Sequence, residues 1–446
     1  MQPMVEPRKA KPTVQFVDDY CQGFQPLFAE VRSFEAFKHI HVGLISEAKR
    51  KSLPEIAKVV GLANEQSLHH FLTESPWQVE ELRQWRLNLI LQGLAGRAIT
   101  LIIDDTGDRK KGHHTDYVTK QYIGNLGKVE NGIVAVTAYG VVEGITIPLT
   151  FEIYKPKECL NVEDIYKSKP EIAAQMMRDL RALGFSFSLV LADSLYGESG
   201  SNFIDVLYQL KLNFAVVIRS NHAAWLPHGQ TVRRNRWRPF ERVFQDGTTE
   251  QRWIQEIIFG KRRAEQFWKI TTDVATLPRN GTWYVMTCIP NLKYHQVGNL
   301  YGLRNWVEYG LKQSKNDLGW ADFRVTNYAQ IEKWWELVMS AYLMVSLHTK
   351  ALHPMLNSSD EDNGSLTTEF SIHQRWNQGS GWKNTLNNLR LILQPFVMFN
   401  VLQPWLKVFP IPHLALGFFR LIAFMNQFKG SVPTPAFKET LLFSSA

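Results

Sequence analysis

Two short apolar runs, each closed by an aspartate and a hydroxyl residue, constrain the fold of this chain more than any other feature. Ala98 to Ile103 (AITLII) leads into Asp104, Asp105, Thr106 and Gly107, and Phe187 to Ala192 leads into Asp193 and Ser194. A run without polar alternation predicts a strand covered on both faces. Between them, Ile133 to Val142 and Ile145 to Tyr154 predict two strands joined at Glu143-Gly144. Pro170 to Leu183 predicts a helix with Ile172, Met176, Met177 and Leu180 inward. That helix is a crossover, so the second apolar run lies parallel to the first and both end at one edge of the sheet. Asp193 then meets Asp104 or Asp105. With both faces of the strand buried, alternation does not choose between those two. A further helix, Phe203 to Leu210, and a strand, Phe214 to Ile218, complete an α/β core.

A carboxylate at the end of a central strand is fixed by the sheet and open to solvent, as a metal ligand for phosphoryl transfer must be. Asp-Asp-Thr-Gly is equally good turn chemistry, so the first run alone decides nothing. The loop that follows is basic, and its Lys110, Lys111 and Lys120 read as phosphate contacts. His113, His114 and Asp116 have no partner at metal-ligand spacing. Glu198 is a rival acidic ligand, placed in the turn before the next helix.

The strongest spacing signal lies downstream, in Tyr301 to Lys315 (YGLRNWVEYGLKQSK). At ~100° per residue, a continuous helix places Tyr301, Arg304, Glu308, Lys312 and Lys315 within an arc of roughly 80°. Leu300, Leu303, Val307 and Leu311 occupy another face. A solvated face with an Arg304–Glu308 pair is the ordinary reading of such a helix. Tyr301, Arg304, Glu308 and Lys315 also fit Y-x2-R-x3-E-x6-K, a set of offsets that chance supplies in fewer than about one chain in a hundred.

This pattern resembles the YREK signature of bacterial insertion-sequence transposases with an RNase H-like DDE core, and the resemblance covers roughly Ala98 to Leu347. It implies that Asp105, Asp193 and Glu308 are the catalytic, metal-binding carboxylates. Asp105 is chosen because the family's first aspartate usually precedes a hydroxyl residue, here Thr106. It further implies two Mg2+ ions, with Mn2+ as a substitute, and a grip on DNA phosphates by Tyr301, Arg304 and Lys315, with Lys312 beside them.

Lys and Arg number 50 against 42 Asp and Glu, a formal net charge of +8 that favours a polyanionic partner. The charge gathers between Asn221 and Asn291. There Arg233, Arg234, Arg236, Arg238, Arg242, Arg252, Lys261, Arg262 and Arg263 interleave with Trp225, Trp237, Trp253 and Trp268. Cations among aromatics suit phosphates and a stacked, unpaired base, although any one tryptophan reads first as core of this segment. The resembled family carries an insertion of β character at the same place.

Tyr20 to Arg97 reads as helical. A helix opening at Ser52 with Pro54, followed by Glu65 to Thr73, predicts either a helix-turn-helix showing Gln66, Ser67, His69 and His70 to DNA or an ordinary helical hairpin. Lys49, Arg50 and Lys51 add a basic cluster nearby. Ile331 to Leu347 predicts an apolar helix beneath the core, Asn357 to Thr368 a flexible linker, and Leu386 to Lys429 a helical module of the kind that often serves subunit pairing in the resembled family. The 3 cysteines, Cys21, Cys159 and Cys288, suggest neither a disulfide framework nor a zinc site and fit a reducing cytoplasm. No secretory signal or membrane-length apolar stretch is present in the sequence.

The expectation is an α/β protein: an RNase H-like mixed-sheet catalytic core at 98–349 with a β-rich insertion, flanked by helical modules at 1–97 and 369–446, the second reached through a linker at 350–368. The resemblance implies a cytoplasmic cut-and-paste transposase that acts, as a homodimer, on double-stranded DNA: its own terminal inverted repeats and a target. A nuclease or resolvase without strand transfer, and an inactive descendant that binds DNA as a regulator, are the competing readings. Mere binding demands no carboxylates, which argues against the regulator.

Overall fold

The helices α1 (Gln15–Gln22), α2 (Val31–Ile45), α3 (Leu53–Val59), α4 (Gln66–Thr73) and α5 (Val79–Leu94) open the chain. The computed structural model describes residues 8–428 apart from 221, 223–227, 245–247, 261–263 and 353–368. Pro54 sits in the first turn of α3, where its missing N–H costs nothing. In α4, Leu68, Phe71 and Leu72 are buried and Gln66, Ser67, His69 and His70 exposed, as their spacing predicts. Lys51 leaves the expected basic cluster: it is 3% exposed and its Nζ donates to Ser46 O at 2.5 Å.

The sheet begins with β1 (Ile99–Arg109), β2 (Thr119–Ile123), β3 (Lys128–Val142) and β4 (Ile145–Ile153). Glu143 and Gly144, at φ 46° and 75°, form the tight turn between β3 and β4. Helix α6 (Lys169–Ala182), held at its start by a Ser168–Glu171 capping box, crosses over to β5 (Phe187–Ala192). Short helices α7 (Ser194–Gly197) and α8 (Asp205–Gln209), with a π-helical stretch at Gly200–Ile204 between them, lead to β6 (Phe214–Ile218). Strands β5 and β6 occupy the residues expected of them.

The basic segment folds as β7 (Val232–Arg234), β8 (Arg238–Val243), β9 (Thr249–Phe259), β10 (Gln266–Thr271) and β11 (Thr282–Thr287). These strands extend the core sheet, since β11 pairs antiparallel with β6. The sheet order is β2-β3-β1-β5-β6-β11-β10-β9-β7, with β4 on β3 and β8 on β9.

Two expectations are corrected here. Strand β1 does not stop at Ile103 but runs on to Arg109, because β3 stays paired with it as far as Arg109↔Gly132. Its parallel partner β5 leaves after Ile103↔Ala192. Asp104 and Asp105 therefore lie where one neighbouring strand departs, not at a strand tip. The expected continuous helix from Tyr301 is two: α9 (Tyr294–Gly302) and α10 (Asn305–Asn316), parted at Leu303 and Arg304. Gly302, a poor helix former, closes the first. Within α10, Glu308, Lys312 and Lys315 still share a face, but Tyr301 and Arg304 fall outside its register.

Helix α11 (Tyr328–Leu347) is apolar as read, and buried polar contacts tie it to the opening helices. Tyr20 Oη donates to Ser340 O at 2.9 Å, and Glu336, fully buried, meets Arg83 at 3.1 Å and Arg86 at 2.5 Å. The last helices among the described residues are α12 (Trp382–Val408) and α13 (Pro412–Met425). The linker read at Asn357 to Thr368 lies outside the described residues. Contacts group Met1–Ala95, Ser314–Val325 and Ala329–Ala446 in one unit, and Gly96–Gln313 with Thr326–Tyr328 in a second that holds the whole sheet.

Candidate active site

Asp104, Asp105 and Asp193 each bring one carboxylate oxygen to within 4.8 Å of the others. The parallel pairing explains this, because Asp104 and Asp193 are the next residues after the last partners, Ile103 and Ala192. Asp193 then caps α7, its Oδ1 accepting the Leu195 N–H at 2.9 Å. Gly197 allows that helix to lie on β6, since a Cβ there would stand 2.0 Å from Val217 O.

Alternation along β1 separates the adjacent pair. Asp104 pairs across with Thr137 and shares the face of Ile102 and Tyr139, while Asp105 pairs with Val136 on the other face. Helix α10 covers the Asp104 face, with Gly310 against the Tyr139 ring.

Two cations from separate elements meet the cluster. Arg304 Nη2, in the break between α9 and α10, lies 3.1 Å from Asp104 Oδ2, and Lys169 Nζ, at the start of α6, lies 2.6 Å from Asp105 Oδ2. Asp104 Oδ1 accepts the Asp105 N–H at 3.0 Å. Burial pushes the Asp104 carboxyl up to about 7; Arg304 opposes the rise, and Asp193 and Asp105 add to it. Asp193 is raised by burial too, against Arg304 and with Asp105. Carboxylates this close resist ionising together, and a divalent cation bound through oxygen relieves the conflict. An all-carboxylate donor set fits a hard ion of that kind.

The structure thus brings together Asp105 and Asp193 of the expected residues, adds Asp104, and places Arg304 on a carboxylate. Glu308 does not join: it lies exposed on α10, outside the converging group. Lys110 is paired with Asp108 at 2.7 Å, Lys111 and Lys312 are exposed, and Lys315 is half-buried. The side chain of Tyr301 lies outside the described residues. Glu198 accepts the Arg219 N–H at 2.6 Å and faces His222 Nδ1 at 3.0 Å, a tie from the end of α7 to the segment after β6. Lys169 had no signal in the sequence, because one lysine opening a crossover helix is ordinary.

In the insertion, Arg233, Arg234, Arg236 and Arg238 are exposed. Arg252 instead turns inward, 2.7 Å from Glu250 and 4.8 Å from the centre of the Trp283 ring, and Trp268 is 8% exposed within the sheet's packing. Trp225, Lys261, Arg262 and Arg263 lie outside the described residues.

Aspartates gathered where two parallel strands part, a crossover helix and a mixed sheet define a carboxylate nuclease core. Residues 24–265, which include all three clustered aspartates, match the family described as DDE superfamily endonuclease. The chain belongs to that superfamily. A probable transposase for insertion sequence element IS701, from Microchaete diplosiphon, is 62% identical over 329 residues, which cover 74% of this chain and 87% of the relative. Among the described residues no helix is long and apolar enough to cross a membrane.

Proposed function

We propose that the chain is the transposase of an insertion sequence, cutting double-stranded DNA at that element's terminal inverted repeats and joining it to a target. The convergence of Asp104, Asp105 and Asp193 carries the reading, and the similarity to a probable transposase supports it. Two Mg2+ ions, or Mn2+ in their place, held by these aspartates and Glu308 would activate the attacking oxygen and stabilise the leaving one in an in-line displacement.

The strand alternation favours Asp104 over Asp105 as the ligand that acts with Glu308, because Asp104 faces the helix that carries it. Arg304 neutralises Asp104 until DNA arrives and then turns to a phosphate, which frees the carboxylate and leaves room for Glu308. Tyr301, Lys312 and Lys315, with Lys110, Lys111 and the exposed arginines of β7 and β8, hold the backbone. Cutting both ends of an element takes two clusters held together, so the working form is a homodimer. Helices α12 and α13 support pairing through exposed Val401, Trp405, Phe419 and Phe424. We place the protein with its DNA in the bacterial cytoplasm, at the nucleoid.

A labelled duplex carrying the inverted repeat tests this in Mg2+. Nicking plus joining is expected; nicking alone indicates a nuclease, and a mobility shift without cleavage a regulator. Asp193→Asn is expected to bind DNA and cut none, and full cleavage by it sinks the reading. Asp104→Asn is expected to abolish cleavage as well, with Asp105→Asn the milder variant.

A further inference from the structure

We propose that the hydroxyl of Tyr196 is a positioning group of the acidic site: buried beside the three aspartates, it accepts a hydrogen bond from a water molecule in the shell of the cation they hold. The proposal rests on the reading of that cluster as a metal site.

Tyr196 lies three residues past Asp193 in α7 and is fully buried, its ring packed on Phe203 with centroids 5.4 Å apart. Its Oη has no hydrogen-bond partner among the described residues. A buried phenol nearly always finds one, because an unmet hydroxyl forfeits its hydration without return. Phenylalanine fills the same space without that loss, so packing gives no reason for the oxygen.

The charged groups that act most strongly on this hydroxyl are Asp105, Asp193, Asp104 and Arg304, all of them members of the site. Each of these groups already has another partner. Asp193 Oδ1 takes the Leu195 N–H, Asp104 takes the Asp105 N–H and Arg304, and Asp105 takes Lys169. The missing partner is therefore one that arrives with a ligand of the cluster. A hard divalent cation on a few carboxylates keeps several of its waters, each a strong donor, and a phenol oxygen can accept from one. The close packing of Gly197 on Val217 O fixes the helix that aims this oxygen. Partners of this outer kind orient the ligand shell and hold the cation more tightly.

The test uses the full chain without DNA and Mn2+ as probe, with free Mn2+ followed by electron paramagnetic resonance. Tyr196→Phe is expected to weaken Mn2+ binding about tenfold, and to shift the Mg2+ dependence of cleavage to about tenfold higher concentration with recovery at saturation. Its unfolding temperature in EDTA is expected to be no lower than the parent's, because the variant loses only an unmet hydroxyl. A purely structural hydroxyl moves the readouts the other way, lowering the unfolding temperature and leaving Mn2+ affinity alone. Parent-like affinity in Tyr196→Phe overturns the proposal. So does failure of that variant to fold, since the ring is retained and only a hydroxyl required by the fold makes its loss fatal. Asp193→Asn separates the two claims: if it too binds Mn2+ like the parent, the metal reading of the cluster falls first.

Discussion

Asp104 shows how a single residue couples the fold to its chemistry. Its carboxyl is held up to about 7, above the ordinary 3.8, chiefly by burial. The folded chain therefore binds this proton more tightly than the unfolded chain does. The resulting stabilisation is complete below about pH 4 and is lost as pH rises through about 7, with a slope of up to about 1.4 kcal/mol per pH unit. Urea unfolding in EDTA at several pH values should show that decline in the parent and lack it in Asp104→Asn. A cation competes with the same proton, so Mn2+ affinity should rise with pH up to about 7 and level off above it. Arg304 lowers this carboxyl, so Arg304→Ala should move the midpoint of that profile upward. An unmoved midpoint would detach Arg304 from Asp104 in solution.

Elements, more than single side chains, are what the sequence made legible. The strands at Phe187–Ala192 and Phe214–Ile218 fall on the residues expected, because a strand covered on both faces must be an unbroken apolar run between polar punctuation. The polar end of β1 carries no such mark; Asp104 to Arg109 is strand only because β3 pairs with it. The break at Leu303 and Arg304 is marked in the sequence by Gly302 alone, one poor helix former among residues compatible with a helix, and it leaves Arg304 3.1 Å from Asp104. For the site, the aspartates that close the two apolar runs were readable, whereas Lys169 and Tyr196 depend on where α6 and α7 dock. The docking of α7 is testable at one atom. Gly197→Ala puts a methyl group 2.0 Å from Val217 O, a backbone atom that cannot swing aside. The variant should lose about 1–3 kcal/mol of stability. It should also lose Mn2+ affinity, because Asp193 and Tyr196 ride on the displaced helix; loss of stability alone would show that α7 adjusts without moving them.

Across the whole chain the excess of +8 matters through where it is exposed. The insertion is hydrogen-bonded to the core through β11 and β6, so its arginines are carried by the same sheet that carries the aspartates. A phosphate held by β7 or β8 is thereby held at a set distance from the site, which is what positioning a scissile bond requires. Charge count alone does not tell which arginines do this. Arg234 and Arg236 are exposed, whereas Arg252 is 8% exposed and tied to Glu250 and Trp283. Each phosphate contact removed should lower the slope of log affinity against log salt by about 0.9 on duplex DNA. Arg234→Ala with Arg236→Ala is therefore expected to flatten the slope by about 1.8 with the unfolding midpoint unchanged. Arg252→Ala should do the reverse, keeping the slope and lowering the midpoint, because it strips an internal partner from Trp283 and touches no phosphate. Equal slopes for the parent and the double variant would mean that the basic strands carry charge for some purpose other than the grip on DNA.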